Sequence, residues 1–350
     1  MKVWLRRIGF VLALAFLALT FVNASWIAPS PRGNVKLIAH RGAYQLFDKT
    51  GVGRDSCTAT RIEAPWHPFL ENTLAGIDQA KRTGAQMIEV DIAPTSDGRV
   101  ALFHDWTVDC RTNGTGKTRD LTLAELKALD AGHGYSADGG QTFPFRGKGL
   151  GAIPSLEEAL TVAGTRPLLY NFKGKDAAEA DLLAAALKAA GRDVEAIGDA
   201  FYGHPAPVAR IAAHFPRAWA FSREAAMACT RAYLWQGWLG MTPSACKGQT
   251  LFVPLNRQWA FAGWPNRLQA RIEAVGGRVV MLGPDTDSGA PMGLWLPEQI
   301  GGVPASFTGH VWVDDIQSVG PALRPAFNRR TPPQEAALAK ALAARRAKWD

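Results

Sequence analysis

Leu37-Ile-Ala-His40-Arg41-Gly42, Met87-Ile-Glu89-Val-Asp91 and Val100-Ala-Leu-Phe-His104-Asp105 are the three pieces whose reading decides the fold. Each is a short apolar, β-prone run that ends in polar residues able to do chemistry. Leu74, Ile77 and Ala80 to Lys81 carry a helical period between the first and second, with a cap at Asn72 or Thr73. Asp97-Gly98 is a turn signal between the second and third. The i, i+2 spacing puts Glu89 and Asp91 on one face of their strand. Two carboxylates aimed together repel unless a cation separates them, and an oxygen-ligated Ca²⁺ or Mg²⁺ is the natural occupant.

Working outward, strands are expected at 35–39, 87–93, 99–103, 167–172, 194–197, 218–221, 250–254, 278–282 and 311–313. Helices are expected at 121–129, 155–163, 176–190, 207–214, 223–234 and 266–275. Strand-then-helix order repeated about eight times implies an α/β fold with a parallel sheet closed as a TIM (β/α)8 barrel. An open doubly wound sheet is the alternative, and no Gly-x-Gly-x-x-Gly turn follows the first strand to support it. The polar stretch 43–70 reads as a long loop pinned by Cys57, and 131–152 as a surface excursion. In a parallel barrel the chemistry gathers at the carboxyl ends of the strands, where His40-Arg41, Glu89 with Asp91, and His104-Asp105 are expected.

The ends read differently from this body. Lys2, Arg6 and Arg7 precede an uncharged apolar run from Ile8 to Val22, and Val22-Asn-Ala24 offers small residues for cleavage. Residues 1–24 are therefore a signal peptide or a membrane anchor, residues 35–325 the barrel, and 332–350 a basic C-terminal helix or tail with a solvated face. The chain is expected to be exported, periplasmic or extracellular, or held in the inner membrane by residues 8–28. The net charge of +8 sits at the two ends, three basic residues before Ile8 and seven against two acidic from Arg324 onward. Residues 25–323 are neutral, which excludes the basic field that a nucleic-acid-binding domain needs. Four cysteines in an exported chain permit two disulfides, and order along the chain favours Cys229 with Cys246 and leaves Cys57 with Cys110. Nothing in the sequence fixes the oligomeric state.

His40-Arg41-Gly42, Glu71-Asn72-Thr73, Glu89-Val-Asp91, Asp97-Gly98 with Val100, His104-Asp105, Arg111-Thr112-Asn113-Gly114-Thr115-Gly116, Leu121-Thr-Leu-Ala-Glu-Leu126 and Ile153-Pro154-Ser155-Leu156-Glu157-Glu158 together resemble the glycerophosphodiester phosphodiesterases. The resemblance covers residues 37–160 in order and spacing, apart from the long loop after Gly42, and thins to topology beyond Lys173. It implies a TIM barrel that hydrolyses glycerophosphodiesters to sn-glycerol 3-phosphate and an alcohol. It implies that His40 and His104 exchange protons, the substrate's own neighbouring hydroxyl attacking first to give a cyclic phosphate. It gives Arg41 and Lys173 to the substrate phosphate, and Glu89 and Asp91 to a Ca²⁺ or Mg²⁺ ion.

The sequence departs from that pattern at Asn171-Phe172-Lys173, where such strands usually end Glu-x-Lys, so Asn171 replaces a third metal-ligating carboxylate. A second departure lies at Met281-Leu-Gly-Pro284, on the expected substrate wall. Two other activities stay open: a lysophospholipase D or sphingomyelinase D-like action on lipids, and a non-catalytic phosphodiester-binding protein. Plainer roles stand beside the sharp ones. Glu71 reads as loop bracing before metal contact, Asp105 as a loop anchor before a base, and His67, His133, His204, His214 and His310 as structural or exposed. Trp235, Trp238, Trp259, Trp264 and Trp295 read as core before a lipid-facing wall.

Overall fold

The computed structural model describes residues 2–53, 56–286 and 293–349. Met1, Asp350 and positions 54–55 and 287–292, which the expected segments include, lie outside the described residues. An apolar helix α1 (Lys2–Val22) precedes β1 (Lys36–Ala39), α2 (Leu74–Arg82), β2 (Met87–Pro94), β3 (Val100–Leu102), α3 (Leu123–Ala128), α4 (Leu156–Ala163), β4 (Leu168–Phe172) and α5 (Ala178–Ala189). Then come α6 (Val194–Ile197), β5 (Ala200–Gly203), α7 (Pro205–His214), β6 (Trp219–Ser222), α8 (Arg223–Gln236), β7 (Thr250–Pro254), α9 (Asn266–Ala274), β8 (Arg278–Leu282), β9 (His310–Val313), α10 (Ile316–Leu323) and α11 (Pro332–Trp349).

Eight strands in the order β6-β5-β4-β2-β1-β9-β8-β7 run parallel and form a nearly closed TIM-type barrel. Among the described residues no backbone ladder joins β6 to β7. Side chains fill that seam: Trp219 Nε1 donates to Thr250 Oγ1 at 3.0 Å, and Thr230 Oγ1 of α8 accepts the Phe252 N–H at 3.0 Å. The Cys229–Cys246 disulfide ties α8 to the chain entering β7, and Cys57–Cys110 pins the long loop after β1.

The strands read as near-continuous apolar runs because both faces are covered. Along β2, Ile88, Val90 and Ile92 pack outward on the helices with Leu168 and Tyr170, while Met87 joins Ile38, Leu169 and Ala200 inside. Glu89 and Asp91 continue that inner face one and two steps further on, toward the carboxyl end. Local chemistry sets the helix starts. Thr73 Oγ1 caps α2, and Thr122 with Glu125 and Ser155 with Glu158 make reciprocal capping boxes, each worth about 1 kcal/mol.

Three expectations are corrected. The 99–103 strand is not a barrel stave: β3 runs antiparallel to the far end of β2, with Ile92 opposite Leu102 and Pro94 opposite Val100, because the Asp97-Gly98 turn folds it straight back. Residues 194–197 form a helical turn, since Asp193 caps it and Gly198 ends it in a left-handed conformation, and the strand falls at β5 instead. The 131–152 excursion is packed, with Tyr135 and Phe145 buried beside the Cys57–Cys110 bridge. The C-terminal helix keeps the expected solvated face, with Lys340, Arg346 and Lys348 exposed, and docks its other face: Leu338 and Leu342 sit among Tyr44, Leu46 and Trp295, and buried Arg345 pairs with Glu63 and Asp315. Helix α10 was not foreseen.

Candidate active site

At the carboxyl end of the strands a cavity of about 810 Å³ opens, its walls including Arg41, His104, Asp105, Asn171, Lys173 and Tyr202. Register explains why these residues meet. Ile38 pairs with Met87, which brings His40 level with Glu89, and Asp91 pairs with Asn171, which in turn pairs with Tyr202. The antiparallel return of β3 carries Phe103 back to the level of Asp91, its N–H donating to the Asp91 carbonyl at 3.1 Å, and sets His104 one residue beyond. A strand outside the barrel thus delivers the second histidine to the same rim.

Arg41 is the hub. Its backbone N–H donates to Glu89 Oε2 at 2.7 Å, Nη1 donates to Glu71 Oε1 at 3.0 Å, Nη2 donates to His104 Nε2 at 2.6 Å, and Nε stands 3.6 Å from Asp91 Oδ2. Its φ is +54°, as is that of Asn72, whose N–H donates to the Arg41 carbonyl at 3.0 Å. Left-handed backbone at two residues that carry side chains costs energy and is held by the surrounding contacts. Glu71 also takes Arg111 Nη1 at 3.1 Å, so it braces two arginines as the loop reading expected.

Both histidines have Nδ1 against a carboxylate, His40 on Asp314 Oδ1 at 2.7 Å and His104 on Asp105 Oδ1 at 2.6 Å. Because a guanidinium only donates, His104 Nε2 accepts from Arg41, and its Nδ1–H donates to Asp105. Burial, then the Arg41 and Lys173 charges, hold the His104 imidazole well below its ordinary range, so it is neutral. Asp314 is buried with Lys49 and His40 on it, and their charges outweigh its burial and keep it ionised. Asp105 does more than anchor a loop, since it orients His104 and takes Arg111 Nε at 2.9 Å.

The two carboxylates of β2 differ. Asp91 accepts Asn72 Nδ2 at 2.9 Å and Asn171 Nδ2 at 2.7 Å, with Lys173 Nζ at 3.5 Å. Burial pushes it up, but Lys173, His104 and Arg41 hold it far below the usual carboxylate range. Glu89 is fully buried and accepts only the Tyr202 hydroxyl at 2.5 Å and the Arg41 N–H; no side-chain cation pairs with it among the described residues. Burial and the neighbouring Asp91 raise it. A divalent cation would relieve that charge, and the oxygen-only donor set of Glu89, Asp91 and the Asn171 carbonyl suits a hard ion, so these residues fit one. Among the described residues no ready cluster of three His, Cys, Asp or Glu ligands stands there.

Every singled-out position among His40, Arg41, Glu89, Asp91, His104, Asn171 and Lys173 thus joins one network. Sequence reasoning missed Asp314, Tyr202 and Arg111. Asp314 follows the last apolar strand directly, a signal that was there to be used; Tyr202 was lost with the misplaced strand. Arg111, the first residue of the Arg111–Gly116 run, is buried against Tyr135, Thr58, Asp105 and Glu71. Of the five tryptophans read as core, Trp295 is buried and Trp264 half-buried on Phe307, but Trp235, Trp238 and Trp259 are exposed.

A profile of the Glycerophosphoryl diester phosphodiesterase family matches residues 40–204, the segment that carries the network from His40 through Tyr202. The glycerophosphodiester phosphodiesterase of Caldanaerobacter subterraneus subsp. tengcongensis is 39% identical over 105 residues, 30% of this chain and 40% of that protein. The rat glycerophosphodiester phosphodiesterase 1 is 35% identical over 160 residues, 45% of this chain and 38% of that protein. The matches therefore span about two-fifths of the length of these relatives. In three dimensions an Oleispira antarctica phosphodiesterase, solved with the product sn-glycerol-3-phosphate, superposes with a TM-score of 0.53 at 20% identity, over 86% of this chain and 99% of that one, which bears on the fold alone. Over residues 40–204, a little under half of its length, the chain is thus similar to the glycerophosphoryl diester phosphodiesterase family.

Proposed function

We propose that the protein is an exported phosphoric diester hydrolase that cleaves glycerophosphodiesters to sn-glycerol 3-phosphate and an alcohol. The observation that carries this is the basic cavity lined by Arg41, His104 and Lys173, with His40 next to Arg41 at the end of β1 and each imidazole holding its Nδ1 on a carboxylate. Such a mouth suits a monoanionic diester, and the guanidinium fork of Arg41 suits its phosphoryl oxygens. Phosphate entering takes Arg41 away from His104 Nε2 and leaves that nitrogen open.

His104, neutral, then takes the proton of the glycerol hydroxyl next to the phosphoester. The new oxygen–phosphorus bond closes a cyclic phosphate as the bond to the alcohol breaks, and the departing oxygen takes its proton from His40. Water reverses the exchange: His40 takes its proton as the water oxygen bonds to phosphorus, the ring P–O bond breaks, and the freed ring oxygen takes the proton from His104. Asp314 and Asp105 fix the tautomers throughout, each holding an Nδ1–H and so directing Nε2 to the substrate. Glu89, Asp91 and the Asn171 carbonyl would hold Ca²⁺ or Mg²⁺, which when bound supplies positive charge against the phosphoryl oxygens.

The test is a product analysis on the whole chain with glycerophosphocholine, with a lysophospholipid and with sphingomyelin, each with Ca²⁺ or with chelator. Release of sn-glycerol 3-phosphate from glycerophosphocholine, lost in chelator, is expected. Turnover of the lipids alone would assign the lipid phosphodiesterase reading instead, and tight binding of every substrate without turnover would make the protein a binder.

A further inference from the structure

Helix α1 meets the barrel only at its end. Its apolar side chains stand out from the fold over the whole length from Val3 to Val22. Twenty-one residues span ~31 Å as a helix, the thickness of a bilayer's hydrocarbon core. Arg6 and Arg7 lie near its free end, where long cationic side chains reach back to headgroups.

The joint, by contrast, is built. Asn23 is buried, its Nδ2 donating to the Leu19 carbonyl at 2.9 Å and the Trp238 carbonyl at 2.8 Å, while its Oδ1 accepts Arg271 Nη1 at 2.8 Å. Arg271 Nη2 also reaches the Val22 carbonyl at 3.3 Å. Two residues on, Ser25 Oγ accepts the Asn266 N–H at 3.0 Å, and Ala28 is buried. Removing residues 1–24 would strip Arg271 and the Trp238 carbonyl of Asn23 and leave the folded domain with an opened joint.

Around that joint lies the densest exposed apolar surface of the barrel. Trp26, Trp235 and Trp259 are 76%, 60% and 73% exposed, and Trp238, Leu239 and Met241 about half. The set is continuous with the helix: Trp238 carries the carbonyl that Asn23 holds, its Nε1 donates to the carbonyl of Ala260 beside Trp259 at 3.0 Å, and Trp26 stands edge-on to Phe21 at 6.1 Å. Single exposed apolar residues need no explanation, but a tryptophan-rich patch at the root of a bilayer-length helix does. Indole rings favour the headgroup layer, where one edge is apolar and the other wet.

We propose that α1 stays on the mature protein as a bilayer anchor and that the face formed by Trp26, Trp235, Trp238, Leu239, Met241 and Trp259 rests in the headgroup layer of the same bilayer. Lys2, Arg6 and Arg7 place the far end of α1 on the cytoplasmic side, and the two disulfides suit a barrel on the oxidising side. This rests on no step of the reaction, so it stands or falls independently of it.

Two measurements on the full chain test it. After expression in a bacterial host the protein should stay in membranes washed with alkaline carbonate, and mass spectrometry should find α1 attached; a soluble chain beginning at Ser25 overturns the anchor. In vesicles of phosphatidylcholine brominated near the top of its acyl chains, tryptophan fluorescence should be quenched. Part of that quenching should be lost in a Trp26→Ser, Trp235→Ser, Trp259→Ser variant. Equal quenching overturns the docked face, and a detergent-stable dimer that this variant dissolves would give the face to a second copy instead.

Discussion

His40 and His104 are matched in chemistry and opposite in construction. The acid behind His104 is its neighbour in sequence, Asp105, held by Arg111. The acid behind His40 is Asp314, 274 residues away, held by Lys49 and by the Gly293 N–H at 3.0 Å. The His104 side is a dense charge network in which Arg41, Lys173 and Asp91 all bear on one imidazole. The His40 side is a single relay that exists only when β9 has closed against β1. One side is thus set by a hairpin that folds locally, the other by completion of the barrel.

Replacing either imidazole should break the comparison most severely. His40→Ala and His104→Ala are each expected to lower kcat for glycerophosphocholine by roughly 10²–10⁴-fold with the fold intact. Retained turnover in both would remove the pair from proton transfer. Next come the acids. Asp105→Asn and Asp314→Asn should each cost about ten- to a hundredfold in kcat by releasing the imidazole. They should differ in stability: Arg111 keeps Glu71, whereas Lys49 loses its carboxylate, so only Asp314→Asn should also lose about 2 kcal/mol in chemical denaturation. Equal stability of the two would mean that the long-range relay is no more costly to open than the local one.

The pH profile separates the sides again. Burial, then the Arg41 and Lys173 cations, disfavour the imidazolium of His104, so the acid limb of kcat/KM should lie below the ordinary histidine range. Lys173→Met removes that repulsion, which raises the His104 pKa and moves the limb to higher pH. A limb that stays put would mean that His104 is not the group whose protonation stops the reaction.

The same division decided what was legible in the sequence. His40, Arg41, Glu89, Asp91 and His104 could be read because their motifs are local, each at the end of an apolar run with its spacing intact. The barrel followed from the alternation of strands and helices, and the hairpin from Asp97-Gly98, although its antiparallel return was not drawn. Asp314 and Tyr202 could not be read the same way, since their roles arise from register across strands far apart in the chain. The strand expected at 194–197 falls instead at Ala200–Gly203, because a capping Asp193 and Gly198 override the β-propensity of Val194 and Ile197. Arg345 read as solvated charge because nothing near it in sequence announces the buried Asp315 and Glu63 that receive it.

Asn171 sharpens the comparison with the smallest expected effect. It touches Asp91 at 2.7 Å and no member of the His40 relay, so a change there acts on the hairpin side alone. As an amide it can offer a cation one carbonyl oxygen, but it brings no charge, while Asp91 is already faced by Arg41 and Lys173. Asn171→Asp should therefore raise affinity for Ca²⁺ alone, measured by titration calorimetry without substrate, by about tenfold, because a carboxylate replaces a neutral donor beside two others. The wild-type chain should bind more weakly at the same pH, and Glu89→Gln should abolish binding in both backgrounds. Identical Ca²⁺ affinities with and without the new carboxylate would put the ion somewhere other than the inner face of β2 and β4, and would leave Asn171 as no more than a hydrogen-bond donor to Asp91.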